Sequence, residues 1–159
     1  MANYEFTVIS NYFKVKNPNE FLEIVQKLGY EESFYDENNN KICIASYEQC
    51  WNAEHIILMD KNINKCIGAI QECDYDYFDL EEYLQDINFE CDKEDIIEVC
   101  LDKYIQSQLL ENEYLAIKET GNEKLRYNVG YAEVITQKSI TWFNLDCLIE
   151  EYVQKELDK

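Results

Sequence analysis

The sequence predicts an α+β fold: a mostly antiparallel sheet with about four helices, in a single compact domain spanning residues 1–159. Three observations predict it. The elements read in the order β-α-β-β-β-β-α-α-β-β-β-α, which segregates runs of strands from helices instead of alternating them. Apolar residues recur with period two in some segments and period 3.6 in others, with polar turns between. A chain of 159 residues buries roughly 70% of its unfolded surface, so it needs neither disulfide nor metal to fold. One Pro and four Gly leave little room for a flexible linker.

In the opening segment Tyr4, Phe6 and Val8 fall on one face and Glu5 and Thr7 on the other, so residues 4–15 read as strand, with a break at Ser10-Asn11. The helix that follows is fully punctuated. Asn17 is its cap, Pro18 suits the first helical position, Glu20 completes an N-x-x-E box and Gly29 ends it. Phe21, Ile24, Val25 and Leu28 form its apolar stripe. The run 36–40 reads as a hairpin loop before a strand at 41–47, in which Ile42 and Ile44 share a face. Two further strands are expected at 55–59 and 66–70. A short helix starts at Asp79, with Leu80, Tyr83, Leu84 and Ile87 inward. A longer one, about 93–109, is expected to bury Ile97, Cys100, Leu101, Tyr104 and Ile105. Strands at 114–118, 125–136 and 139–143 follow, then a last helix from Asn144 carrying Leu145, Leu148, Ile149 and Tyr152.

Charge is the dominant feature. Thirty-three acids face 14 bases, a net −19. Self-repulsion of this size opposes compaction, favours solubility and repels nucleic acid and anionic lipid. Plain solubility, a halophilic habitat, cation binding, or a partner built for polyanions would each account for it. The distribution counts against plain solubility. Residues 71–100 hold Glu72, Asp74, Asp76, Asp79, Glu81, Glu82, Asp86, Glu90, Asp92, Glu94, Asp95 and Glu98 against Lys93, so −11 of the total lies in under a fifth of the chain. Apolar stripes run through the acidic helical segment 71–109, so its carboxylates are expected on the outer faces of ordered helices. B-DNA carries one charge per ~1.7 Å of axis, and proteins that bind it present basic channels to match. A rigid acidic face can occupy such a channel, with fast and salt-sensitive association. The candidate partner-binding residues are therefore Asp74, Asp76, Asp79, Glu81, Glu82, Asp86, Glu90, Asp92, Glu94, Asp95 and Glu98. Tyr75, Tyr77, Phe78, Tyr83 and Phe89 are interleaved as interface anchors. The competing reading is a solvated face with its aromatic residues in the core, and it is the stronger one for Phe78 and Tyr83.

Seven Cys in a chain without an export signal read as reduced thiols. Cys43-x6-Cys50 and Cys66-x6-Cys73 form two equal pairs with His55 between them. Four such sulfurs make a candidate zinc site, although the short ligand spacing usual for zinc is missing and buried inert thiols are the alternative. No cofactor is required by any motif. Asp60-x-Asn62-x-Asn64 starts like a calcium loop, but Lys65 and Gln71 stand where Gly and a bidentate Glu are needed. A Cys–His nucleophile would have to use His55, the one His, and there is no GxSxG, phosphate-binding Gly loop or deaminase signature. The chain is expected not to be an enzyme. With no signal-like N-terminus and no long apolar run, it is expected in the cytoplasm of a bacterial host, away from membranes and without direct nucleic-acid binding.

Ser10-Asn-Tyr-Phe-Lys-Val-Lys16 and Gly121-Asn-Glu-Lys-Leu-Arg-Tyr-Asn-Val-Gly-Tyr131, with the acidic centre, resemble small acidic anti-defence proteins of Gram-positive phages and mobile elements, including anti-CRISPR inhibitors. The two stretches cover under a fifth of the chain and transfer no functional residue. The resemblance implies a stoichiometric inhibitor of a type II RNA-guided nuclease. Such a nuclease holds its nucleic acid in basic channels, and an acidic domain docked there would block loading. A DNA-mimic antirestriction protein and a small zinc-binding interaction module are the alternatives.

Overall fold

The structure, a computed structural model, describes residues 4–47, 50–63, 65–89, 92–123, 127–144, 147–148 and 153–155. The fold is α+β with antiparallel sheets, as the sequence predicts. Within the 159 residues the chain separates into two compact units. Unit 1 comprises residues 1–51 and 106–159, and unit 2 is the stretch 52–105 inserted between them.

Unit 1 is organised by a five-stranded sheet in the order β10-β9-β8-β1-β4. β1 is Tyr4–Ser10, β4 Ala45–Ser46, β8 Tyr114–Glu123, β9 Tyr127–Thr136 and β10 Ile140–Asn144. Every neighbouring pair is antiparallel, with Val8 opposite both Ser46 and Glu119, and Ile117 opposite Glu133. The expected break at Ser10-Asn11 is real. Beyond it only Phe13 and Val15 make isolated bridges, to Ile42 and Leu109. α1, Pro18–Lys27, buries Phe21, Ile24 and Val25, and Leu28 closes its stripe. Asn17 is its cap by position, but its side chain makes no capping hydrogen bond, so the Asn17 half of the predicted box is not formed. Gly29 takes a φ of 96°, a left-handed conformation open to Gly without steric cost. β2, Phe34–Asp36, and β3, Lys41–Cys43, form the predicted hairpin, with Asn40 in the left-handed region.

Unit 2 holds a three-stranded sheet, β6-β5-β7, with β5 at Ile56–Asp60, β6 at Lys65–Ile70 and β7 at Ile96–Cys100. Between β6 and β7 come a 3₁₀ helix, Glu72–Tyr77, then α2, Leu80–Asp86, then a 3₁₀ turn, Lys93–Asp95. α3, Leu101–Gln108, contains the boundary between the units.

The helix expected at 93–109 is corrected. Its first half is the 3₁₀ turn and β7, and only residues 101–108 are helical. Ile96, Ile97 and Val99 are β-branched and stiff at χ1, which favours a pleated surface, and β7 pairs along its whole length with β5. Ile97 and Cys100, expected in the core, are exposed, whereas Leu101, Tyr104 and Ile105 are buried. Most of the helix expected from Asn144, including Leu145, Ile149 and Tyr152, lies outside the described residues.

Gly68 on β6 sets how closely α2 approaches. A Cβ there would stand 2.3 Å from the Tyr83 hydroxyl oxygen and within 3 Å of two ring carbons. The Tyr83 hydroxyl donates to the Ile67 carbonyl at 3.1 Å, so the ring has little freedom to retreat. Gly68→Ala is expected to destabilise unit 2 by about 1–3 kcal/mol through overpacking. Urea unfolding checks this, and Gly68→Ala combined with Tyr83→Phe should recover part of the loss.

Candidate functional site

The acidic surface belongs to unit 2. The chain leaves β6 at Ile70 and enters the 3₁₀ helix Glu72–Tyr77, which buries no residue. Asp74 and Asp76 lie on this helix, exposed on either side of Tyr75. Tyr77 is 90% exposed, the barest large hydrophobic side chain among the described residues. Asp79 caps α2, its Oδ1 accepting from the N–H groups of Glu81 at 2.8 Å and Glu82 at 3.2 Å. Glu81 and Glu82 occupy the first turn of α2 and Asp86 its last residue, all exposed. Only Leu84 of α2 is fully inward, with Tyr83 and Phe78 half-buried at a ring separation of 5.4 Å. Ile87, expected inward, is exposed.

The remaining candidates are divided between a turn and a strand. Asp92, Glu94 and Asp95 flank or form the turn before β7, and Glu98 is the central residue of β7. Glu94, Asp95 and Glu98 therefore do not decorate a helix as expected. Glu90 lies outside the described residues. Among the described residues, Lys93 pairs with Glu81, and Lys61 with Asp95 at 2.9 Å. The Lys61 hydrogen bond holds the Asp95 carboxyl below its ordinary range. Tyr75 donates its hydroxyl to Glu98 Oε2 at 2.6 Å, which raises the phenol's pKa. Among the described residues no cation lies within ion-pair distance of Asp74, Asp76, Glu82 or Asp86. Residues 52–105 together carry fifteen acids against four lysines, a net −11.

The cysteine pairs fall in different units. Cys43 is buried in unit 1, its thiol directed at the Ser10 carbonyl at 3.5 Å, and Cys50 is exposed. In unit 2, Cys66 is half-buried with its thiol on the Gly68 carbonyl at 3.3 Å, and Cys73 is exposed. Among the described residues no three His, Cys, Asp or Glu side chains gather as a metal-binding group. Asp60 closes a turn onto the N–H groups of Asn62 and Ile63, a structural use of the loop that resembled a calcium site.

His55 is 2% exposed, ahead of β5. Its Nδ1 accepts from the Glu72 N–H at 3.1 Å, which places the ring proton on Nε2, and burial pushes its pKa down to about 4. Near neutral pH the ring is thus neutral.

Unit 1 contains a group that sequence reading missed. Trp51 donates its backbone N–H to Glu119 at 2.6 Å and its indole N–H to Glu133, while stacking at a tilt on Tyr30 with centroids 5.2 Å apart. Glu133 is 3% exposed, and burial raises the Glu119 carboxyl despite the Trp51 N–H. Alternation along β8 and β9 puts both carboxylates on one sheet face, but nothing in the sequence marks Trp51 as their shared donor. An open depression of about 440 Å³ in the same unit is lined by polar residues at 111–114 and 136–138, with Lys138 among them.

No helix among the described residues is long and apolar enough to cross a membrane. No protein-family model, curated protein or solved structure matches the chain.

Proposed function

We propose that this protein is a stoichiometric inhibitor of a bacterial defence nuclease, of the anti-CRISPR kind, which docks on a type II RNA-guided nuclease and blocks nucleic-acid loading. The observation that carries this reading is the set of exposed carboxylates of Asp74, Asp76, Glu82 and Asp86, which among the described residues have no cation within ion-pair distance and are held on the ordered backbone of unit 2. A basic channel evolved for phosphates gains Coulomb energy from any fixed anionic surface that fits it, and steering accelerates the encounter. Tyr77 and Tyr75 stand among the charges as apolar anchors, the residue type favoured at interface hot spots. Binding rather than catalysis is favoured further by the only His, which is buried, neutral and engaged by backbone.

Capture of a purified type II effector by the immobilised protein tests the reading, with and without guide RNA, at roughly 50 and 200 mM salt. The guide-free effector is expected to bind at low salt, weaken strongly at high salt, and compete with guide RNA. Capture of a restriction nuclease in place of the effector would select the antirestriction variant of the same mechanism. Indifference of capture to both salt and guide would end the polyanion reading.

A further inference from the structure

We infer that the open edge of β7 receives an extended basic segment of the partner, which adds as a fourth strand to the β6-β5-β7 sheet. This rests on the reading that the partner is basic and specifies how it is gripped. The Leu101 N–H donates to the His55 carbonyl at 2.8 Å and the Lys61 N–H to the Asp95 carbonyl at 2.9 Å, so these pairs bracket the β5–β7 ladder. Hydrogen-bonded and non-hydrogen-bonded pairs alternate in an antiparallel ladder. Ile97 and Val99 therefore turn their backbone groups to β5, while Ile96, Glu98 and Cys100 turn theirs outward. The Ile96 N–H is taken by the Lys93 carbonyl. What remains, among the described residues, is a row formed by the Ile96 C=O, the Glu98 N–H and C=O, and the Cys100 N–H. Among the described residues no strand pairs with this edge, and Ile97 is 45% exposed with Glu98 and Cys100 also exposed.

The opposite edge of the same sheet is protected. The register of β6 shifts at Leu58/Met59, the Ile67 carbonyl accepts from Tyr83, and the Tyr83 ring lies over Gly68. Bulges and covering elements are how native sheets blunt an edge. Among the described residues β7 has neither a register shift nor a covering strand, and it carries the Glu98 carboxylate, which accepts from the Tyr75 hydroxyl at 2.6 Å. The charge of Glu98 selects the occupant. A second copy would bring two units of net −11 edge to edge, whereas a Lys or Arg opposite Glu98 makes a favourable cross-strand pair. Ile97 and Val99 lie on the other face of the strand and suit apolar neighbours. The fitting segment therefore alternates apolar and basic residues, with strand addition supplying affinity and the alternate side chains supplying selectivity.

Amide hydrogen exchange on the full chain, with a synthetic ten-residue peptide alternating Val and Lys, tests this. The Glu98 and Cys100 amides are expected to slow about tenfold or more on saturation, with Ile97 and Val99 unchanged, because only the outward groups gain bonds. Glu98→Pro removes the outward N–H without touching the bonds to β5 and should weaken the peptide about tenfold, while Glu98→Gln should weaken it only about threefold. Binding without slowing at Glu98, a Glu98 amide already slow in the free protein, or full binding by Glu98→Pro despite intact protection of Ile97 and Val99 would each overturn strand addition. If the nuclease is still captured by Glu98→Pro but lost by a variant with Asp74, Asp76, Glu82 and Asp86 neutralised, the edge fails and the inhibitor reading stands. If capture survives both changes, the two fail together.

Discussion

Replacing Asp74, Asp76, Glu82 and Asp86 together by their amides should lower affinity for the basic partner about 100-fold at low salt while leaving the fold intact. Each is exposed and, among the described residues, has no cation within ion-pair distance. Charges at the rim of an interface contribute about 0.5–1 kcal/mol apiece. Four of them give roughly 2–4 kcal/mol, and each 1.4 kcal/mol is tenfold in affinity. Most of the loss should fall on the association rate, and the dependence of affinity on salt should flatten. The choice of four is structural. Glu81 and Asp95 are already paired with lysines, and Asp79 caps α2, so changing it would confuse binding with helix stability. Removing four like charges relieves self-repulsion, so thermal stability should hold or rise. Stopped-flow association against the guide-free effector, paired with thermal unfolding of each variant, provides the measurement. An affinity change below about threefold would mean that the partner does not read this surface.

How much of this surface was legible in the sequence differs from element to element. α2 was legible because its cap and its inner residue Leu84 are local features: Asp79 bonds the N–H groups two and three residues ahead, and Leu84 follows from helical period. The hairpin at 36–40 was legible for the same reason, since Asn40 supplies the left-handed turn residue. β7 was not. The spacing of Ile97, Leu101, Tyr104 and Ile105 fits a helix as well as it fits a strand running into one, and only pairing with β5, forty residues earlier in the chain, decides between them. The Trp51 clasp is non-local in the same sense, joining residue 51 to strands at 119 and 133. The equal Cys-x6-Cys spacing was a local regularity without a shared location, because each pair belongs to its own unit. Periodicity and capping are written within a few residues. Edges, clasps and ligand sets depend on which distant segments meet.

Acidification should weaken unit 2 through His55, by about 3 kcal/mol between roughly pH 7 and pH 4, relative to a His55→Asn variant. An unfolded His titrates near its ordinary value of 6.5, while burial holds the folded ring at about 4. Above the unfolded pKa both states are neutral and the group has no effect. As pH falls through this window the unfolded chain takes a proton that the folded one refuses, so stability is lost until the folded pKa is reached. The hydrogen bond gives a second reason for the refusal. A proton on Nδ1 would face the Glu72 N–H, donor against donor, where the neutral ring now accepts at 3.1 Å. Asn keeps an acceptor oxygen near the Nδ1 position and cannot take up the proton, so its stability curve should lack this loss. The comparison also removes effects common to both proteins. These include relief of repulsion as exposed carboxylates protonate, and the opposite contribution of Glu119 in unit 1, whose raised pKa makes its stabilisation strongest in acid and lost as pH rises. Urea unfolding from about pH 7 to pH 4, with hydrogen exchange of the β5 amides to isolate unit 2, measures the difference. Parallel curves for the two proteins would mean that His55 ionises as freely in the folded chain as in the unfolded one. A diverging pair would establish it as a structural acceptor held neutral by its surroundings. Such a ring cannot serve as the base of a Cys–His pair without first breaking its bond to Glu72, which favours the binding reading of unit 2 over a catalytic one.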